Sequence, residues 1–143
     1  MNEEAFSKWQ VIPLVFSQDA VADAQSTVAM NILEVGAASG VLGVTEYVIP
    51  WKFEVIGVSI SSDSARTAGT LTVDPTINGT AQNLPAARNA TNTQRASATG
   101  PRRQRGSAAG GRVGAKLTTA SWTPVTADIL VTVFVLVYVD GIG

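Results

Sequence analysis

The feature that most constrains the fold is the apolar run at residues 129–139, ILVTVFVLVYV. In a β-strand, successive side chains point to opposite faces. One face of this run carries Ile129, Val131, Val133, Val135, Val137 and Val139, and the other carries Leu130, Thr132, Phe134, Leu136 and Tyr138. A strand that is apolar on both faces needs cover on both sides. We therefore expect a second sheet on one side and another chain on the other.

The predicted oligomer interface is the β-branched face of this run, formed by Val131, Val133, Val135 and Val137. The run is too short to cross a membrane, because a spanning helix needs roughly 20 apolar residues. Charged residues make up 15% of the chain and apolar residues 45%, so a free monomer would have little polar surface. These features predict a self-assembling protein with no membrane role.

Strand patterns separated by turn residues recur along the chain. They occupy residues 26–35, 51–60, 68–73 and 111–120, and Asn78-Gly79 is a strong signal for a hairpin turn. Strand spacings of about 8–12 residues are typical of sandwiches and barrels, and no segment has the periodicity of a three-turn amphipathic helix. We predict an all-β fold, a jelly-roll-like β-sandwich of about eight strands.

The 143 residues suffice for one domain with a core. We predict an extended N-terminal arm at residues 1–21 and a single β-sandwich domain at residues 22–143. Pro13 disfavours a helix interior or a central strand within the arm. The predicted partner-binding anchors of the arm are its apolar residues Trp9, Ile12, Leu14 and Phe16. An edge strand of the same domain is the alternative for this segment.

Charge is segregated along the chain, although the net charge is only −1. Residues 1–80 hold nine acids and three bases, whereas residues 81–116 hold seven bases and no acid. We predict a basic exposed loop at about residues 95–110, with a weak strand over residues 92–98. Its predicted partner-binding residues are Arg102, Arg103 and Arg105. Because no aromatic residue is interleaved for base stacking, we favour a contact with an acidic protein surface, or a solvated loop, over nucleic-acid binding.

The chain contains no cysteine and no histidine, which excludes thiolate zinc sites, cysteine nucleophiles and Ser-His-Asp triads. Residues 106–116 are rich in glycine but lack the Gly-Lys-Ser or Gly-Lys-Thr of a phosphate loop, and residues 74–79 offer too few oxygen ligands for calcium. The scattered acids form no recognisable glycosidase pair. We predict that the protein is not an enzyme and uses no cofactor or metal.

Tryptophan side chains can stack on sugars or fill a core. Trp51 lies in an alternating strand pattern, which predicts a core position. Trp122 lies in a connection shortly before Pro124, which makes it the better candidate for exposure.

Four segments together resemble short β-sandwich proteins of tailed bacteriophages and prophages. They are ARTAGTLTV (65–73), INGT (77–80), GRVGAKLTT (111–119) and WTPVTADI (122–129). The resemblance covers about residues 48–139, and the basic insertion from Arg95 to Gly106 departs from the pattern. It implies a trimeric jelly-roll virion component, either a capsid decoration (cement) protein or the head of a fibre.

On this resemblance we expect a virion structural protein that stabilises the phage head as a homotrimer and binds the major capsid protein or another virion protein. The alternatives are a fibre or receptor-binding head module and a minor tail or connector protein. Residues 1–4, MNEE, are acidic where a secretion leader is basic. We therefore expect assembly in the host cytoplasm and a final location in the virion.

Overall fold

The computed structural model describes residues 9–32 and 44–139. The first eight residues of the predicted arm therefore lie outside the described residues. Within the described ranges the chain forms eleven strands and no helix. The strands are β1 (Trp9–Gln18), β2 (Val28–Ala29), β3 (Tyr47–Val48), β4 (Lys52–Ser62), β5 (Ala68–Ile77), β6 (Thr80–Ala81), β7 (Ala86–Arg88), β8 (Arg95–Thr99), β9 (Gly106–Ser107), β10 (Arg112–Thr123) and β11 (Ile129–Tyr138).

The strands form two antiparallel sheets that pack face to face. Sheet A has the order β1-β11-β4-β8, and β9 also pairs with β4. Sheet B has the order β2-β10-β5-β6, with β3 also on β10 and β7 also on β5. The final strand β11 thus lies in the middle of sheet A, where it pairs with β1 over ten residues and with β4 over ten residues.

The connectivity is that of a jelly roll. Three strand positions are each filled by two short strands: β2 and β3 on β10, β6 and β7 on β5, and β8 and β9 on β4. This leaves eight positions, of which the first pairs with the last, the second with the seventh, the third with the sixth and the fourth with the fifth. Such nested pairing of eight strands in two sheets is the jelly-roll pattern, and it confirms the predicted fold class.

The core lies between the sheets, and β11 contributes its β-branched face to it. Val131, Val133, Val135 and Val137 are fully buried in the core of their own chain. The prediction that these four valines form the oligomer interface is therefore wrong. The alternation of β11 required one face inside and one outside, and the face that remains outside is the one carrying Leu130 and Phe134.

Half of the predicted arm is a strand of the domain. Residues 9–18 form β1 at the edge of sheet A, which is the alternative considered for this segment. Leu14 and Phe16 are buried in the core and Ile12 packs against it, so these three side chains are not free to anchor a partner. The physical reason is the alternation of β1, which points even-numbered residues inward opposite the core valines of β11.

Other local predictions have mixed outcomes. Asn78 and Gly79 both have positive φ (52° and 82°) and connect β5 to β6, as a type I′ hairpin turn requires. Trp122 is fully buried because β10 continues through it, so its predicted exposure is wrong. Trp51 precedes β4 and is 38% exposed, so the core position predicted for it is also wrong.

Within residues 9–32 and 44–139, no helix is long and apolar enough to cross a membrane.

Candidate interaction surface

The side of sheet A that faces away from sheet B is apolar along β1 and β11. On β1 and β11 this outer face carries Trp9, Val11, Pro13, Val15, Ser17, Leu130, Thr132, Phe134, Leu136 and Tyr138. We call its central part, Val11, Pro13, Val15, Leu130 and Phe134, the apolar strip. Val11 is 56% exposed, Val15 38% and Leu130 45%, whereas Phe134 is half-buried. Side chains of this kind are normally covered by another surface.

The strip continues to β1, which is an outermost strand of sheet A among the described residues. Pro13 has no N–H, which suits an edge strand whose amide positions face solvent. Along the same edge, the carbonyl of Val15 accepts a hydrogen bond from the Tyr47 hydroxyl at 3.1 Å, and the amide of Ser17 donates to the Asn31 carbonyl at 2.8 Å. These contacts close the end of the edge near Ser17. Pro13 interrupts the donors in its middle, which limits pairing with a foreign strand.

One end of the outer face is basic. Glu54 of β4 is buried and receives two bonds from the basic loop: Arg102 Nε at 3.2 Å and the Arg103 amide at 3.1 Å. The Arg102 guanidinium also lies over the Trp9 ring, 5.0 Å from its centroid. A cavity of about 580 Å³ opens beside these groups, and Lys52 lines it as well. Among the described residues, the charged groups at this basic end are three cations and one carboxylate.

The basic loop is shorter than predicted, and hydrogen bonds hold it to its own domain. Residues Arg95–Thr99 form β8 and Gly106–Ser107 form β9, both paired with β4, so the loop proper is residues 100–105. Arg105 is half-buried, and its guanidinium donates to the carbonyls of Gln82 (2.9 Å) and Asn83 (3.1 Å). Arg105 therefore anchors the loop to its own domain, while Arg102 and Arg103 lie on the outer face.

The opposite end of the outer face is acidic. Asp19 follows β1, Asp63 follows β4 and Asp128 precedes β11. All three residues line one cavity of about 400 Å³, whose lining includes no basic side chain. The Asp63 carboxylate accepts the Asp128 amide at 2.9 Å, and the Asp128 carboxylate accepts the Ala20 amide at 2.9 Å. A hydrogen bond between the Asp128 and Asp19 side chains, and after it the hydrogen bond from the Ala20 amide, lower the pKa of Asp128.

A buried cation, Arg88, lies inside the sandwich near this acidic end. Arg88 of β7 is fully buried, donates to the carbonyls of Ser64 and Thr93, and lies over the Trp122 ring at 4.9 Å from the centroid. Burial lowers the pKa of Arg88 from its ordinary value, and the charge of Asp63 partly offsets that shift. Arg88 thus joins two loops to the core, a structural role rather than a chemical one.

Replacing Arg88 by Ala is expected to lower the free energy of unfolding by about 3 kcal/mol, because it opens a cavity in the core and removes the hydrogen bonds to the carbonyls of Ser64 and Thr93. For a chain of this size that corresponds to a decrease in Tm of roughly 10 °C in a thermal melt followed by circular dichroism. The matched control is Arg112→Ala, whose exposed ion pair with Glu46 at 3.4 Å should contribute at most about 1 kcal/mol. Equal melting temperatures for the two variants would contradict the role assigned to Arg88.

The described residues contain no group of three His, Cys, Asp or Glu side chains that could hold a metal ion. The residues brought together at the outer face are apolar side chains and charged groups held by backbone and ion-pair contacts. Such a surface supports association rather than bond-making chemistry.

Sequence reasoning missed Glu54 and Arg88, which organise the two ends of the domain. Glu54 looked like one polar position in an alternating strand, and its partner Arg102 lies 48 residues away. Arg88 looked like one more member of a basic segment. The signal that could have identified Arg88 as buried is the alternation of β7, in which every second residue points inward. A strand of three residues is too short for that alternation to be recognised in the sequence.

No family model matches the sequence, and no curated protein matches it significantly. Among solved structures, the chain is similar to one described as "Cyanophage Pam1 capsid asymmetric unit". The TM-score is 0.50 at 16% sequence identity, over 90% of this chain and 84% of that chain. At this identity the likeness concerns the fold alone.

Proposed function

We propose that this chain is a non-enzymatic virion structural protein, and within that class a capsid decoration (cement) protein that stabilises a phage head as a homotrimer. The observation that carries the proposal is the apolar strip, because Val11, Val15 and Leu130 are exposed in the part of the chain that the structure describes. The likeness of the fold to a chain of a cyanophage capsid supports the choice of a virion. The partners are other copies of the chain and the major capsid protein or another virion protein.

The remaining features agree with a structural role. A decoration protein acts by burying surface between neighbours, so it needs a rigid scaffold and no reaction centre. The jelly roll supplies the scaffold, and many copies on one shell turn a weak contact into strong overall attachment.

The alternative of a sugar-binding fibre head loses one of its two candidate groups, since Trp122 is fully buried in the core. The loop arginines remain, but Arg105 and Arg102 are engaged with groups of their own chain. A structural role on the shell therefore accounts for more of the molecule.

The role of the apolar strip is tested by placing a carboxylate on it. Val11→Asp and Val15→Asp are each expected to weaken self-association at least tenfold, measured by sedimentation velocity, because the charge must lose water when the strip is covered. Val28→Asp is the matched control, since Val28 is 41% exposed on β2 of sheet B. If Val28→Asp dissociates the oligomer and the strip variants do not, the strip is not the interface.

The function itself is tested on particles. Virions purified from a producing host should contain the protein in many copies, and particles made without its gene should keep their shell but lose resistance to heat. Adding purified protein back should restore that resistance. Absence of the protein from purified virions would contradict the proposal, and a few copies per particle would point to the tail or connector alternative.

A further inference from the structure

Along its strands, the outer face of sheet A has a basic end and an acidic end. Its basic end, with Lys52, Arg102 and Arg103, lies beside Tyr138, and its acidic end lies beside Leu130. The two ends are separated by eight residues of β11, or about 26 Å at the rise of a strand. The apolar strip occupies the space between them. One face therefore offers a positive patch, an apolar centre and a negative patch in a row.

We propose that this face contacts other copies of the chain end to end in a closed ring of three, so that the basic end of one copy contacts the acidic end of the next. The proposal rests on the assembly function inferred above and specifies its contact. The interacting groups are Arg102, Arg103 and Lys52 of one copy and Asp19, Asp63 and Asp128 of the next.

Charge complementarity identifies a second copy as the occupant. With strands parallel to the three-fold axis, the copies would place like charges beside each other at both ends, which is costly at a dry interface. With strands running around the axis, each copy offers its basic end to one neighbour and its acidic end to the other. The three apolar strips then face the axis of the ring, where they cover one another.

The acidic cavity can accept an incoming guanidinium. Its lining includes the carboxyl groups of Asp19, Asp63 and Asp128, whose oxygens can accept hydrogen bonds. A guanidinium has five N–H donors in a planar fork and can bond several such acceptors at once. The cavity volume of about 400 Å³ leaves room for a side chain of that size.

Arg103 is the side chain placed to enter that cavity on a neighbour. Its amide donates a hydrogen bond to the Glu54 carboxylate, which fixes the position of its backbone. The residue is exposed, and among the described residues no hydrogen bond or ion pair involves its guanidinium. Arg102 contributes less to the contact, because Glu54 already holds it.

The test is a charge exchange in the full chain, measured by sedimentation velocity over a range of concentrations. Arg103→Glu and Asp63→Lys are each expected to weaken association at least tenfold, because each places like charges at one contact. The double variant should associate within about threefold of the unmodified protein, since its exchanged charges are again complementary. Arg112→Glu, on sheet B, makes the same change in net charge as Arg103→Glu and should leave association unchanged.

Asp63→Lys also removes the acceptor of the Asp128 amide, so Asp63→Asn is measured beside it. This variant keeps an acceptor oxygen and removes the charge, and it should weaken association in a folded protein. Restoration in the double variant supports the proposal. The proposal is overturned if the double variant associates no more tightly than the single variant with the lower affinity. It is also overturned if Arg112→Glu weakens association as much as Arg103→Glu does.

The outcomes also separate this contact from the proposed function. If strip variants dissociate the oligomer but charge exchange has no effect, the end-to-end contact is wrong while assembly stands. If the unmodified protein is a monomer up to about 1 mM, the contact is overturned as a free-standing interface. Whether purified virions contain the protein in many copies then decides the function independently.

Discussion

Replacing Val135 by Asp is expected to leave the chain largely unfolded at 25 °C. Val135 is fully buried in the middle of β11, where the core offers no partner for a carboxylate. Burying the carboxylate unpaired, or protonating it so that it is neutral, costs more than about 5 kcal/mol. This cost is comparable to the whole stability of a domain. The loss of β-sheet signal in circular dichroism and of a cooperative thermal transition measures the effect.

The matched control is Leu130→Asp on the same strand. Leu130 points to the opposite face and is 45% exposed, so this variant should fold and lose association only. The pair therefore separates the two faces of β11. A Val135→Asp protein that melts like the Leu130→Asp protein would show that the valine face is not the core.

Replacing Gly69 by Ala is expected to destabilise the domain by about 3–5 kcal/mol. Gly69 has a φ of +73°, and a Cβ at this position would overlap the backbone carbonyl of Ser121 on the neighbouring strand β10. The register of β5 and β10 shifts between Ala120 and Thr123, so this close approach belongs to a bulge. Neither strand can move without breaking its pairing. Denaturant unfolding measures the loss.

Gly110→Ala separates backbone conformation from steric overlap. Gly110 also has a positive φ, +88°, but a Cβ there would have no atom within 4 Å. It should cost only about 1–2 kcal/mol for the left-handed conformation. If both variants lose the same stability, the contact between Gly69 and Ser121 is not what requires glycine.

The fold class was predictable because local signals agree with it. The alternating strands, the Asn78-Gly79 turn and the doubly apolar run at residues 129–139 each follow from the backbone geometry of strands. The alternation of β11 also predicted that one face would be core and one would not. Both faces are apolar, however, so the period alone could not assign Val135 to the inside and Leu130 to the outside.

The interaction surface was less predictable, because it depends on which strands become neighbours. Sequence alone placed Trp9 and Arg102 in separate segments, yet the pairing of β1 with β11 and the return of the basic loop bring them together. The same pairing buries Leu14 and Phe16 and exposes Val11. These outcomes depend on long-range contacts that no local pattern encodes.

The central claim is that the outer face of sheet A joins copies of this chain, and the mass of the purified protein in solution tests it most directly. Light scattering on a sizing column should give three times the 14.8 kDa chain mass at micromolar concentration. In the same experiment Val11→Asp should shift the mass towards one chain while keeping the fold. A folded protein that stays at 14.8 kDa at all concentrations would contradict the account.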